Sequence, residues 1–396
     1  MRFEIYHQLG FRFQWNIKSH CEDGTSDGLI LAPRYMGSDI VQGMPLENKS
    51  CSIFDPQFFR PDICKGELHT YDFFPDVVSE GFETEDYSDT HAWVSAEKCV
   101  SFQIQNKFKS IVIPTRHFQG TPSNYLDVQQ ELFVAPFISE IKKQIGSSHE
   151  VLLQLILNDA MLKDQEYLSD ILNWVTGIDD INGVYLIADI NPRPKQIKDT
   201  DTLYSLLNVI NILNRNELNV VLGYMNTEAV ILSLAAPNAI TIGAYENMRM
   251  FNIKTFADEE KKKIQSPTPR IYIPKLLQLI DHRYIGAIMR AGKADELIPK
   301  NKYQAAMFQP TFKWHFSKPE LYQHYFLEFS TQLKEIRKVS GKERYIKVKN
   351  LLETAISEYD FLMNTRGIAF DNNSDGSHLP LWLTAINEFA GDMHWR

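Results

Sequence analysis

Four cysteines in 396 residues, none in a C-x-x-C pair, leave little material for a zinc site or a disulfide framework. Cys21, Cys51, Cys64 and Cys99 are scattered, which suits reduced thiols in a cytoplasmic protein. Basic residues are the minority: 41 Lys and Arg against 50 Asp and Glu give a net charge of −9. That argues against a nucleic-acid partner held by bulk charge and leaves only a local basic groove as a route to one. Nowhere does the chain reach the roughly 18 consecutive apolar residues of a membrane span, and residues 1–7 lack the apolar core of a signal peptide. A soluble cytoplasmic protein with no membrane partner is the expectation. Neither G-x-G-x-x-G nor G-x-x-x-x-G-K-[ST] follows any apolar run, so the usual nucleotide fingerprints of open α/β sheets are missing. His7, His20, His69, His91 and His117 do not pair with a carboxylate at metal-ligand spacing. No metal is expected, and no cofactor is identified.

What is present is a series of short apolar runs. Those at 151–157, 183–188, 219–224 and 239–244 are rich in β-branched or aromatic residues and bounded by Asn, Asp, Gly or Pro. Strands buried on both faces read this way, and they belong to parallel sheets. Between them lie helical stripes: Tyr167, Leu168, Ile171, Leu172 and Val175, with Asp164 as cap, and Leu203, Leu206, Leu207, Ile210 and Leu213, headed by Thr200 or Asp201. Thr227 is placed to cap a third. Runs at 28–33, 51–54 and 110–114 extend the alternation, and 11–17 supplies an opening strand. Without that one, Arg270–Ile273 or 285–289 would have to complete a set of eight. A (β/α)₈ TIM-like barrel over 1–299 is the preferred fold, with a doubly wound open sheet as its competitor.

Residues 61–109 read as an irregular acidic and aromatic insertion, a small subdomain or a lid, with a hairpin strand near 100–108. From about 300 the pattern turns to long amphipathic helices at 320–339, 343–364 and 379–389, a helical C-terminal module over 300–396. Residues 254–263 read as a charged helix. The turn at 371–377 resembles half of a calcium-binding EF-hand loop, but Trp382 stands where the bidentate Glu should be, so a polar turn is the better reading.

Barrel enzymes place reacting groups where strands end and βα loops begin. Asp55 precedes Pro56, which stops its strand with the carboxylate at the mouth; Asp189 ends its run before Asn191-Pro192; Glu246 follows the last run. These three are the candidate catalytic acids. Arg34, Arg116, Asn191, Tyr224, Asn247 and Arg249 sit at the same exits as candidate substrate contacts, the arginines suited to phosphate or carboxylate. Asn158 and Asp159 are read as a cap and a turn, and His117 as a surface residue, with a role as base beside Arg116 as its alternative.

The strand–loop grammar is similar to that of barrel enzymes in general. Queuine-type tRNA ribosyltransferases are one such group, but their Asp-Ser-Gly-Gly segment and cysteine-rich zinc motif are absent, so no residue is carried over. The expected activity is that of a barrel enzyme, a hydrolase or glycosyl transferase, acting on a small polar or anionic ligand of glycosyl or nucleotide type. The alternative is a non-catalytic barrel subunit of a bacterial multiprotein assembly, binding protein partners through its insertion and C-terminal helices.

Overall fold

The computed structural model describes residues 2–79, 89–146, 149–190, 195–257 and 267–396. Eight parallel strands close into a barrel in chain order: β1 (Glu4–Gln8), β2 (Gly28–Leu31), β3 (Ile53–Phe54), β4 (Ser110–Ile113), β5 (Glu150–Asn158), β6 (Gly183–Asp189), β7 (Asn219–Leu222) and β8 (Ala239–Gly243). Pairing of β1 with β8, Ile5 opposite Ile240, closes the ring and excludes the open sheet. Each strand sends alternate side chains inward. Tyr6, Ile30, Ile53, Val112, Leu152, Tyr185, Val221 and Ala239, one per strand, fill the lumen as a cluster of their own. The neighbours of opposite parity, such as Ile5, Leu31, Leu153 and Val220, join a second core between strands and helices. Each fully buried Leu or Ile there contributes roughly 1.5–3 kcal/mol of transfer free energy.

The larger helices are α1 (Gln14–Asp23), α2 (Asp89–Gln105), α3 (Ala135–Gln144), α4 (Gln165–Thr176), α5 (Thr200–Arg215), α6 (Pro319–Ile336), α7 (Gly341–Asp360) and α8 (Leu379–Asp392). Asp164 caps α4 through Tyr167 N at 3.1 Å as expected. Asp199, rather than Thr200 or Asp201, caps α5, accepting from Thr202 N at 2.8 Å. The side chain of Thr227 makes no cap bond, and the following turn is a short helix at Ala229–Leu232. The C-terminal helices lie on the barrel wall. α6 packs on α1, α8 packs on α5, and the Phe326 ring meets the buried His7 of β1 edge-on at 4.5 Å.

Four expectations fail. Residues 11–17 are not a strand; most of them enter α1, and the opening strand is β1, the five residues Glu4–Gln8 with Tyr6 and Gln8 facing inward. The alternation of Phe11, Phe13, Trp15 and Ile17 has several local causes: Trp15 stacks on Tyr322 of α6 at 5.1 Å, Phe11 meets Tyr245 at 5.9 Å, and Phe13 and Ile17 pack on the main core. Arg270–Ile273 is a strand, but it pairs antiparallel with Gln278–Asp281 outside the barrel. Ile285–Arg290 is a helix, and residues 100–105 belong to α2, where Phe102 packs on Phe54 and Tyr71. Tyr71, Phe73 and Phe74 of the insertion are buried in the core rather than spread over the mouth; residues 80–88 lie outside the described residues. So does most of the expected charged helix, of which Ile253–Phe256 forms a 3₁₀ turn. Asp371 and Asp375 accept from the backbone N–H groups of Asn373 and Ser377, closing a polar turn. No described helix is long and apolar enough to cross a membrane.

Candidate functional site

Parallel strands carry Asp55 and Asp189 to the same, C-terminal end of the barrel. Asp55 continues β3 with inward parity and is fully buried. Its carboxylate accepts from Gln154 Nε2 at 2.8 Å and from Gln57 N at 3.1 Å, with Tyr185 OH at 3.4 Å and Tyr224 OH at 3.5 Å. These partners come from β5, β6 and the exit of β7, so the carboxylate bridges the lumen. Gln57 ties the group together: Oε1 accepts from Arg34 N at 2.9 Å, and Nε2 donates to Tyr224 OH at 3.2 Å. Tyr185 OH also reaches Gln8 Oε1 at 3.2 Å. Loss of hydration raises the Asp55 carboxyl to about 7, although all four hydrogen bonds pull the other way. The same burial raises both tyrosine hydroxyls far above their ordinary range. They remain donors.

The backbone is shaped to permit this. Gln57 and Tyr224 both adopt left-handed conformations, φ +59° and +56°, which cost non-glycine residues roughly 1–3 kcal/mol each. Between β7 and Tyr224, Gly223 lies against the Tyr185 ring; a Cβ there would meet ring carbon at 2.5 Å.

Asp189, also buried, accepts from His117 Nε2 at 2.7 Å. His117 is buried rather than on the surface, because the segment after β4 folds inward and its backbone N–H donates to Phe59 O at 3.1 Å. An Nε2–H bonded to Asp189 leaves Nδ1 with the lone pair in the neutral ring. A histidine held by a carboxylate in this way is the arrangement of a general base and its orienting acid.

Three phenylalanines cover both groups. Phe59 meets Phe251 and Phe256 edge-on at 4.8 Å, and Phe251 lies 5.3 Å from the Tyr224 ring and 6.2 Å from His117. Arg34 stands over Phe256 at 5.1 Å, with Nε and Nη1 buried and unpartnered among the described residues. Arg116 lies over Phe118 at 4.8 Å, near Asp62, at the rim.

Glu246, Asn247 and Arg249 form a second group on the exit of β8. Met248 holds that turn to the barrel, since a Cβ on Gly243 would meet Met248 O at 2.2 Å. Glu246 pairs with Lys195, Asn247 donates to Tyr35 OH at 2.9 Å, and Arg249 Nη1 donates to Ala244 O at 2.8 Å. With Lys195, Arg270, Tyr322 and Tyr325 they line a cleft of about 780 Å³ between this turn and α6. Glu228, buried near Arg249, has its carboxyl raised to about 7 by desolvation, which Arg249 opposes. Asn191 lies outside the described residues.

Asn158 does what its position suggested, capping the next turn through Met161 N at 3.0 Å. Sequence reasoning missed Gln8, Gln57, Gln154, Tyr185 and Lys195. Gln154 carried a signal: a lone amide inside the run 151–157, at a position whose parity points into the lumen. No group of three or more potential metal ligands converges among the described residues. No protein-family model matches the chain, and a search of curated proteins also finds no match.

Proposed function

We propose that this protein is an acid–base enzyme working at the C-terminal mouth of its barrel, with hydrolysis or transfer of a glycosyl or nucleotide-type group as its reaction class. The observation that carries the reading is Asp55, a buried carboxyl whose ionisation is brought to about 7, at the same end of the barrel and under the same Phe251 ring as a His117–Asp189 pair. In this reading Asp55 is the general acid, His117 the base and Asp189 the group that orients it. Groups titrating near the working pH are the efficient proton carriers. Arg34 and Arg116 at the rim are suited to a polar or anionic substrate, and Phe251 must move aside for one to enter. The test is turnover on a panel of chromogenic glycosides and nucleosides. Asp55→Asn and Asp189→Asn should each lose about 10²- to 10⁴-fold while remaining folded; full activity in either variant defeats the proposal.

One observation favours a non-catalytic barrel acting as a subunit of a larger assembly: Phe59, Phe251 and Phe256 fill the mouth above Asp55. Phe251→Ala separates the two readings. A barrel of the second kind stays inert on every substrate of the panel after the plug is cut back, whereas an enzyme gains access and turns over when assayed at a pH low enough to keep the newly hydrated Asp55 protonated.

A further inference from the structure

Against a chain of net charge −9, the cleft between the β8 exit and α6 is lined by Lys195, Arg249 and Arg270 with Glu246 as the acid among them. Its two arginines are fixed in place. Arg270 Nη1 donates to Leu279 O, Asn373 O and Ser374 Oγ at 2.8–3.0 Å, and Arg249 is held by Ala244 O with its guanidinium 5.4 Å from the Tyr325 ring centre. Two buried lining groups still have unused donors: Arg249 Nε, on a residue 9% exposed, and Tyr325 OH, fully buried, have no hydrogen-bond partner among the described residues. A buried donor without a partner costs roughly 1–3 kcal/mol; the buried Glu228 carboxyl, its Oε2 also unpartnered among the described residues, faces both groups from behind, and an acceptor entering by the cleft would meet them from the open side. The opposite wall is aromatic. Tyr245 and Tyr322 lie 4.9 Å apart, Phe11 extends the face at 5.9 Å from Tyr245, and Trp15 stacks behind Tyr322. The volume falls within the range of small-ligand sites.

We infer that this cleft binds a small molecule in which a planar ring carries a phosphate or carboxylate, the class of a nucleoside monophosphate. The anion takes the Arg249 and Tyr325 donors and draws Lys195 from Glu246, while the ring lies on Tyr245 and Tyr322. A single nucleotide fits this cleft better than a polymer, because the acidic chain as a whole offers a polyanion no long basic track. That the ligand is a substrate rests on the catalytic reading above; that it binds here does not.

The test is calorimetric titration of the full chain with uridine and guanosine 5′-monophosphates, the matching nucleosides, and inorganic phosphate. At least one nucleotide should bind tenfold or more tightly than its nucleoside and than phosphate. Arg249→Met should weaken that binding tenfold or more, and Lys195→Ala, on a half-exposed side chain that the fold does not need, should weaken it severalfold. Asp55→Asn should bind as the wild type does. Absence of heat with both nucleotides, phosphate binding equal to nucleotide binding, or unchanged affinity in Lys195→Ala overturns the inference. Loss of turnover in Asp55→Asn alongside unchanged affinity in Arg249→Met would leave the catalytic proposal standing and remove this one.

Discussion

Gln57 and Tyr224 leave strands on opposite sides of the ring, both at positive φ, and Gln57 Nε2 donates to Tyr224 OH at 3.2 Å across the mouth. Each strained residue holds the other against Asp55. The strain and the buried carboxyl are therefore parts of one arrangement, which the rest of the fold offsets.

Stability should depend on pH through Asp55. Its folded ionisation, about 7, lies above the ordinary carboxylate value of 3.8. Below about pH 4 both folded and unfolded states are protonated, and the group costs nothing. As pH rises from there to 7 the unfolded chain releases the proton and the folded chain keeps it, so stability falls, by roughly 4 kcal/mol in all, and then levels off. Asp55→Asn removes this dependence. Urea unfolding at pH 4 to 8 should show the variant gaining on wild type as pH rises, with no further gain above 7; a constant difference would contradict the assignment.

Asp189 sets the tautomer of His117. Nitrogen-15 NMR of the wild-type ring should show a protonated Nε2 and a bare Nδ1. Asp189→Asn, which presents an amide donor as well as an acceptor, should yield a mixture. An unchanged spectrum would mean that something else orients the ring.

Gly223→Ala places a methyl 2.5 Å from the Tyr185 ring, inside a lumen packed from every strand. The ring has nowhere to retreat. A loss of about 1–3 kcal/mol in chemical denaturation is expected, and a neutral result would show that the contact yields.

Cutting back Phe251 admits water to the mouth. Phe251→Ala should cost roughly 3–5 kcal/mol of packing. Hydration of Asp55 should lower its ionisation from about 7 toward 3.8, read as the pH midpoint of the carboxyl infrared band that Asp55→Asn removes. A midpoint that stays near 7 would mean desolvation by the plug is not what raises it.

The barrel was legible because seven of its strands are apolar on both faces, as parallel strands between helices must be. β1 was not, since Glu4, His7 and Gln8 make it look polar. His7 is held by Asn16 and Thr25, 9 and 18 residues further on, and Gln8 Oε1 accepts from Tyr185, 177 residues away. The strand-end rule found Asp55, Asp189 and Tyr224 because it needs only strand boundaries. It did not separate them from Glu246, Asn247 and Arg249, whose turn faces α6, and it placed His117 outside because nothing local reports a loop curling inward. Long-range contacts decided each miss.

The wall of β1 is finished by α6, and Arg337 at the end of that helix reaches Asp27, 310 residues earlier, at 2.5 Å. The outer wall of this strand, begun by α1, is therefore completed only once a segment some 310 residues further along has been made. Contacts this distant in sequence are entropically costly to close, so the seam between β1 and α6 is expected to be among the later parts of the fold to form.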